Sequence, residues 1–185
     1  MDKLGRAASR GVTLPEVLVV LAIAGVLQAF GAPALASLID GVRVGRGSES
    51  LFLTLQQARS EAIKRNGRVV VCKSDDGARC VTGGGWEQGW LMFQDGNNNA
   101  RLDTGETVLL RQAALDRPVR LSGNSQVANY VSYTPTGNAS LISGAFQAGT
   151  FTVCRQSNVP LDARQVVLSS SGRVRSQRVK LGQCL

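Results

Sequence analysis

Histidine is absent from this 185-residue chain, and its absence removes the Ser-His-Asp triad, imidazole general bases, histidine-ligated zinc and histidine pH switching together. No enzyme and no cofactor are expected. Acidic residues are also short, with 13 Asp and Glu against 21 Lys and Arg, a formal net charge of +8. Only 18% of residues are charged and 43% are hydrophobic, which fits a folded basic protein and not a disordered basic tail. No internal repeat or low-complexity tract is evident, and the length suits one domain with an appended element.

Charge is missing altogether from Val17 to Ile39, VLVVLAIAGVLQAFGAPALASLI. About 20 apolar residues suffice for a membrane-spanning helix. The segment before it carries Lys3, Arg6 and Arg10 against Asp2. That bias holds the leader in the cytoplasm and places everything after about Asp40 outside. A signal peptide has its small-residue cleavage site after the apolar stretch, whereas Gly11 lies before it. Glu16, at the start of the apolar run, is costly unless partnered. Cleavage after Gly11 would supply the α-amino group of Val12, on the same chain or a neighbour.

The stretch Gly11-Val12-Thr13-Leu14-Pro15-Glu16-Val17-Leu18-Val19 resembles the class III leader and helix start of type IV pilins and type II secretion pseudopilins. The resemblance implies cleavage after Gly11 and N-methylation of Val12 by a prepilin peptidase, with Glu16 registering the subunit among other pilins in a filament. Pro33 is similar to the helix-bending proline of these proteins. Val12 and Pro15 depart from the usual phenylalanine and aliphatic residue. Pro15 is tolerable in a first helical turn.

Beyond the apolar run, three glycines and two arginines in DGVRVGRGS, 40–48, predict a weakened, bent helix. An amphipathic pattern follows to about Asn66, with Leu51, Leu55, Ala58 and Ala62 on one face, and Asn66-Gly67 reads as its stop. Strand signals then occupy 68–73, 90–93, 107–112, 130–134, 150–155, 164–169 and 172–179. The expected fold is α+β, a long helix packed on an antiparallel sheet or small sandwich. Its parts are a leader (1–11), a transmembrane assembly helix (12–39), an amphipathic continuation (40–66) and an extracytoplasmic β-rich domain (67–185). Residues 89–111, GWLMFQDGNNNARLDTGETVLLR, resemble the mid-domain signature of the FimT/GspH branch of minor pilins and minor pseudopilins.

Cys72, Cys80, Cys154 and Cys184 all fall in the segment placed outside, where disulfides are the default. Four thiols allow three pairings. Joining Cys72 to Cys80 would close a polar loop, and joining Cys154 to Cys184 would tie the last residues back to a strand. Zinc competes weakly without a C-x-x-C pair or histidine. Asp95, Asn97, Asn99, Arg101, Asp103 and Glu106 fall at alternate positions of a calcium-loop spacing. However, Ala100 occupies the glycine position, the flanks read as strands, and such residues also build ordinary hairpin turns.

From Cys154 to Leu185 six positive residues, Arg155, Arg164, Arg173, Arg175, Arg178 and Lys180, face one acid, Asp162. Such clustering suits a polyanion, and arginine forks suit phosphates. On an alternating strand Arg173 and Arg175 share a side, beside a serine and glycine turn whose N–H groups can also reach phosphates. Gly172-Arg173-Val174-Arg175 resembles the GRxR motif of FimT-type minor pilins that bind DNA in natural transformation. The resemblance implies backbone-directed, salt-sensitive contact with double-stranded DNA by Arg173 and Arg175. The other four cations are weaker companions. A solvated basic strand meeting an acidic neighbour is the alternative.

The whole reads as a minor type IV pilin in the bacterial inner membrane, single-pass with a periplasmic domain, later part of the surface pilus. The alternative is a GspH-type pseudopilin of a type II secretion system, structural and without DNA binding.

Overall fold

The computed structural model describes residues 13–184, with the side chains of 30–34, 36 and 37 outside the description. Gly11 and Val12 also lie outside it. One helix, α1 (Leu14–Lys64), is followed by eight strands: β1 (Val69–Lys73), β2 (Trp90–Gln94), β3 (Val108–Gln112), β4 (Val119–Gly123), β5 (Tyr130–Tyr133), β6 (Gly149–Arg155), β7 (Leu161–Leu168) and β8 (Val174–Leu181). The chain forms two compact units, one ending at Ile39 and the other running from Asp40 to Leu185.

In the first unit, successive side chains Val17 to Leu21 are exposed, as are Ile23, Val26 and Leu27. The apolar surface therefore goes all round this part of the helix. Among the described residues no helix is long and apolar enough to cross a membrane.

In the second unit, the glycine-rich stretch 40–48, expected as a weakened, bent helix, is helical throughout. The reason is tertiary. Val44 and Ser48 are buried, and Gly47 lets the β3–β4 connection approach so closely that a Cβ there would stand 3.0 Å from Leu115 Cδ1, with Val119 and Val153 of the second sheet at 3.6 Å. Packing of this kind outweighs the weak helix propensity of glycine. Further along, Leu51, Leu55, Ala58 and Ala62 are completely buried, the stripe anticipated from a spacing of three and four. The helix closes on Asn66 in the left-handed region, with φ +47°, and the Gly67 N–H donates to Ala62 O at 3.1 Å.

The strands form two antiparallel sheets, ordered β3-β2-β1-β5 and β4-β6-β7-β8. Alternation assigns the faces. Val69, Val71, Trp90, Met92, Val131 and Tyr133 of the first sheet share one core with Val119, Leu121, Phe151, Val153, Val166 and Leu168 of the second, and with the helix stripe. Trp86 bridges them: its ring meets Phe151 edge-on at 5.2 Å, and its indole N–H donates to Val127 O at 3.0 Å. The other face of the first sheet is not solvated, since Val70, Cys72, Leu91 and Phe93 pack beneath Ala100 and Leu102. This explains why β1 and β2 read as apolar runs instead of alternating patterns.

One strand escaped the sequence pattern. β4, VRLSG, carries only Val119 and Leu121 as buried apolar residues, too few to show a period. Every residue of the buried clusters lies at or after Val44, so residues 40–185 contain their own core. Leu55→Ala should cost about 2–5 kcal/mol, because the vacated space faces two sheets and a helix that cannot all collapse; urea unfolding of the 40–185 fragment measures it.

Candidate nucleic-acid interface and neighbouring sites

The basic segment forms the β7–β8 hairpin, paired from Leu161–Leu181 to Leu168–Val174. Its tip is closed by bonds from Ser169 N to Arg173 O and from Gly172 N to Ser169 O, both 2.9 Å. Gly172 has φ +74°, and a Cβ there would collide with the carbonyl oxygen of Gly137. That carbonyl accepts from Arg59 Nε at 2.9 Å, while Ala139 N donates to Ser170 O at 3.1 Å. Helix, β5 loop and hairpin tip thus meet at two glycines. Tyr133 lies beneath with its hydroxyl buried and unpartnered, and burial pushes that group's pKa up.

Arg173 and Arg175 are both exposed, and neither forms an ion pair among the described residues. Arg173 immediately precedes β8, which begins at Val174, and its carbonyl still accepts from Ser169 N–H. Arg173 lines a cleft of about 500 Å³ with Gln56, Arg59, Ser60, Ile63 and Val174. Arg175 pairs across the ladder with Val167, on the face opposite Val174, which packs on the core.

The weaker companions gather elsewhere. Arg155 pairs with Asp40 at 3.5 Å; Arg164 lies against Gly45, with its guanidinium 3.6 Å from where a Cβ would be. Arg178 stands opposite Arg164, and Lys180 opposite Asp162. Lys180 is five residues from Arg175, roughly 17 Å along a strand. Sequence reading missed Arg59, which the fold brings to the Arg173 cleft. On a helix 114 residues earlier it looked like part of a solvated face.

The cysteines pair as Cys72–Cys80 and Cys154–Cys184, with none free among the described residues. Beside the first, buried Lys73 donates to Thr82 O and Gly84 O, both at 2.9 Å, and burial lowers its pKa. The second is flanked by the reciprocal backbone bonds of Ser157 and Cys184, which fix the chain end to the end of β6.

In the acidic loop, Asp95 accepts the backbone N–H groups of Asn98, Asn99 and Ala100 at 2.7, 3.2 and 3.0 Å. The side-chain amides of Asn97 and Asn99 donate to Asp103 at 2.8 and 2.6 Å. Glu106 accepts from Gly96 and Asp103 N–H. The spacing that resembles a calcium loop is used here for a self-bonded hairpin connection. Ala100 adopts φ +55° where a calcium loop favours glycine. Glu16 stands exposed in the first turn of α1.

A long N-terminal helix whose second part packs on two antiparallel sheets is the α+β fold of minor type IV pilins and pseudopilins. The profile of the family described as Type II transport protein GspH matches residues 48–172, and that of the prokaryotic N-terminal methylation motif matches residues 6–27. The chain belongs to the GspH family. The pilin-like protein PilA1 of Thermus thermophilus is 38% identical over 97 residues, 52% of this chain and 55% of that one; the chain spans about half the length of this curated relative. Among solved structures, the minor pilin FimU of Pseudomonas aeruginosa is similar with a TM-score of 0.58 at 17% identity, over 80% of this chain and 99% of that one. The minor pseudopilin EpsH of Vibrio cholerae gives 0.50 at 14%, over 73% and 96%. At such identities these two likenesses concern the fold alone.

Two outcomes are expected. Gly172→Ala should destabilise the domain by about 1–3 kcal/mol, read by thermal or urea unfolding, since the side chain is disfavoured both by φ and by Gly137. The Asn97 and Asn99 amides hold the Asp103 carboxyl below its usual 3.8. A depressed folded pKa contributes stability above 3.8 that is lost as pH falls through the folded value. An acid titration followed by NMR should therefore show the Asn97 and Asn99 side-chain amides still bonded to Asp103 at 3.8 and released only below it.

Proposed function

We propose that this chain is a minor pilin of a type IV pilus that contacts double-stranded DNA during uptake. Processing after Gly11 leaves a methylated Val12, Glu16 registers the subunit, and the apolar run of 17–39 holds it in the inner membrane with the domain in the periplasm until assembly. The all-round apolar exposure of Val17 to Leu27 supports this, since such a surface needs lipid or neighbouring subunits.

The observation that carries the DNA reading is the hairpin tip. Arg173 and Arg175 are exposed and free of ion pairs among the described residues, on a turn pinned by Gly172 against Gly137. A rigid support lowers the entropy cost of ordering the arginines against phosphates. Arg59, across the cleft, adds a third cation. The basic segment 154–185 contains no aromatic residue of its own to stack bases, so contact is with phosphates and tolerant of sequence. The pilus is favoured by the name of the curated relative, a pilin-like protein. The second reading, a secretion pseudopilin, is favoured by the description of the family profile.

In electrophoretic shift over a salt series, Arg173→Ala with Arg175→Ala should weaken DNA binding and flatten the slope of log affinity against log salt by about 1.8, some 0.9 for each phosphate no longer neutralised. An unchanged affinity and slope would overturn the DNA reading and leave the family assignment standing. Carbonate extraction of membranes tests the anchor separately: the full chain should resist it. Deleting the gene should abolish transformation in the first reading and protein secretion in the second.

A further inference from the structure

We propose that the end of the domain around Asp40 is a docking surface for anionic lipid headgroups, distinct from the hairpin tip. This rests on the reading that residues 17–39 lodge in the membrane.

Six cations from three parts of the chain meet there. Asp40 accepts from Arg43 at 3.4 Å and from Arg155 at 3.5 Å. Arg164 comes against the helix at Gly45 and stands directly across the ladder from Arg178. Like charges opposed on one sheet cost stability, and neither forms an ion pair among the described residues. Arg46 shares a shallow cleft with Arg43, where Asp116 is the only acid among the described residues; Lys180 is opposed by Asp162. Among the described residues six positive groups thus stand near four carboxylates, counting Glu49 three helical positions after Arg46, and one of them, Asp40, already serves two arginines.

This unbalanced charge lies where the chain arrives from Ile39, the last residue of the charge-free run. Cations immediately beside a membrane-inserted segment are within the reach of the surface potential of anionic lipids, and each adds roughly fivefold to binding. Arginine forks match lipid phosphates. The cations are spread over a helix, a strand end and an edge strand, which suits a plane of headgroups better than one compact ligand. Arg178 and Lys180, counted by sequence with the DNA group, belong to this surface, and Arg173 and Arg175 occupy the opposite end of the hairpin.

The 40–185 fragment, which carries the complete core and both disulfides, should co-sediment with phosphatidylglycerol vesicles at least about tenfold more tightly than with phosphatidylcholine vesicles, and the difference should fade with salt. Arg46→Ala, Arg178→Ala and Lys180→Ala together, all exposed positions, should lower the phosphatidylglycerol affinity by about a hundredfold and leave the DNA shift intact. The Arg173→Ala, Arg175→Ala pair should do the converse. Equal binding to both vesicle types by the unaltered fragment sinks the proposal without recourse to any variant. So does a triple variant that keeps its lipid affinity, or one that loses DNA binding instead. Failure of the anchor reading shows elsewhere, in extraction of the full chain by carbonate.

Discussion

Burial of one helical stripe organises the domain. Leu51, Leu55, Ala58 and Ala62 reach the inner faces of two sheets that share no strand, so the helix is the common wall of a single core. The same helix carries Arg59 to the carbonyl of Gly137. That bond fixes the loop after β5, against which the hairpin tip then rests through Gly172. A chain of packing and hydrogen bonds therefore leads from an apolar helix face to the placement of two exposed arginines some 114 residues later.

The cations are sorted by that frame. One pair stands at the hairpin tip; the other basic residues of the C-terminal segment run back along the ladder to the end marked by Asp40. The Cys154–Cys184 disulfide closes the chain end onto β6 and keeps β8 from fraying where its own apolar residues, Val179 and Leu181, are only partly buried. Charges along β8 also blunt an edge strand that would otherwise present unpaired backbone to other chains. The acidic loop contributes differently, using its carboxylates to cap its own N–H groups above the second apolar cluster.

Much of this was legible because local chemistry and global fold agree. The stripe at 51–62, the Asn66-Gly67 stop and seven of the eight strands carry periods or punctuation that survive in the folded chain. β4 did not, since two inward residues make no pattern. The glycines of 40–48 weaken helix propensity, and what helps hold this stretch helical, the approach of Leu115, Val119 and Val153 to Gly47, is a tertiary contact that propensity does not show.

The sequence by itself determined the class of protein: a basic leader, a charge-free run with Glu16 at its head, an amphipathic helix and a set of short strands, each readable because hydrophobic period and charge act over a few residues. Disulfide pairing was left open among three arrangements and settled by which strands lie side by side. Only the tertiary structure divided one basic segment into two ends and added Arg43, Arg46 and Arg59 to them. Electrostatics acts through space, and residues distant in the chain become one surface only when the core that joins their elements has formed.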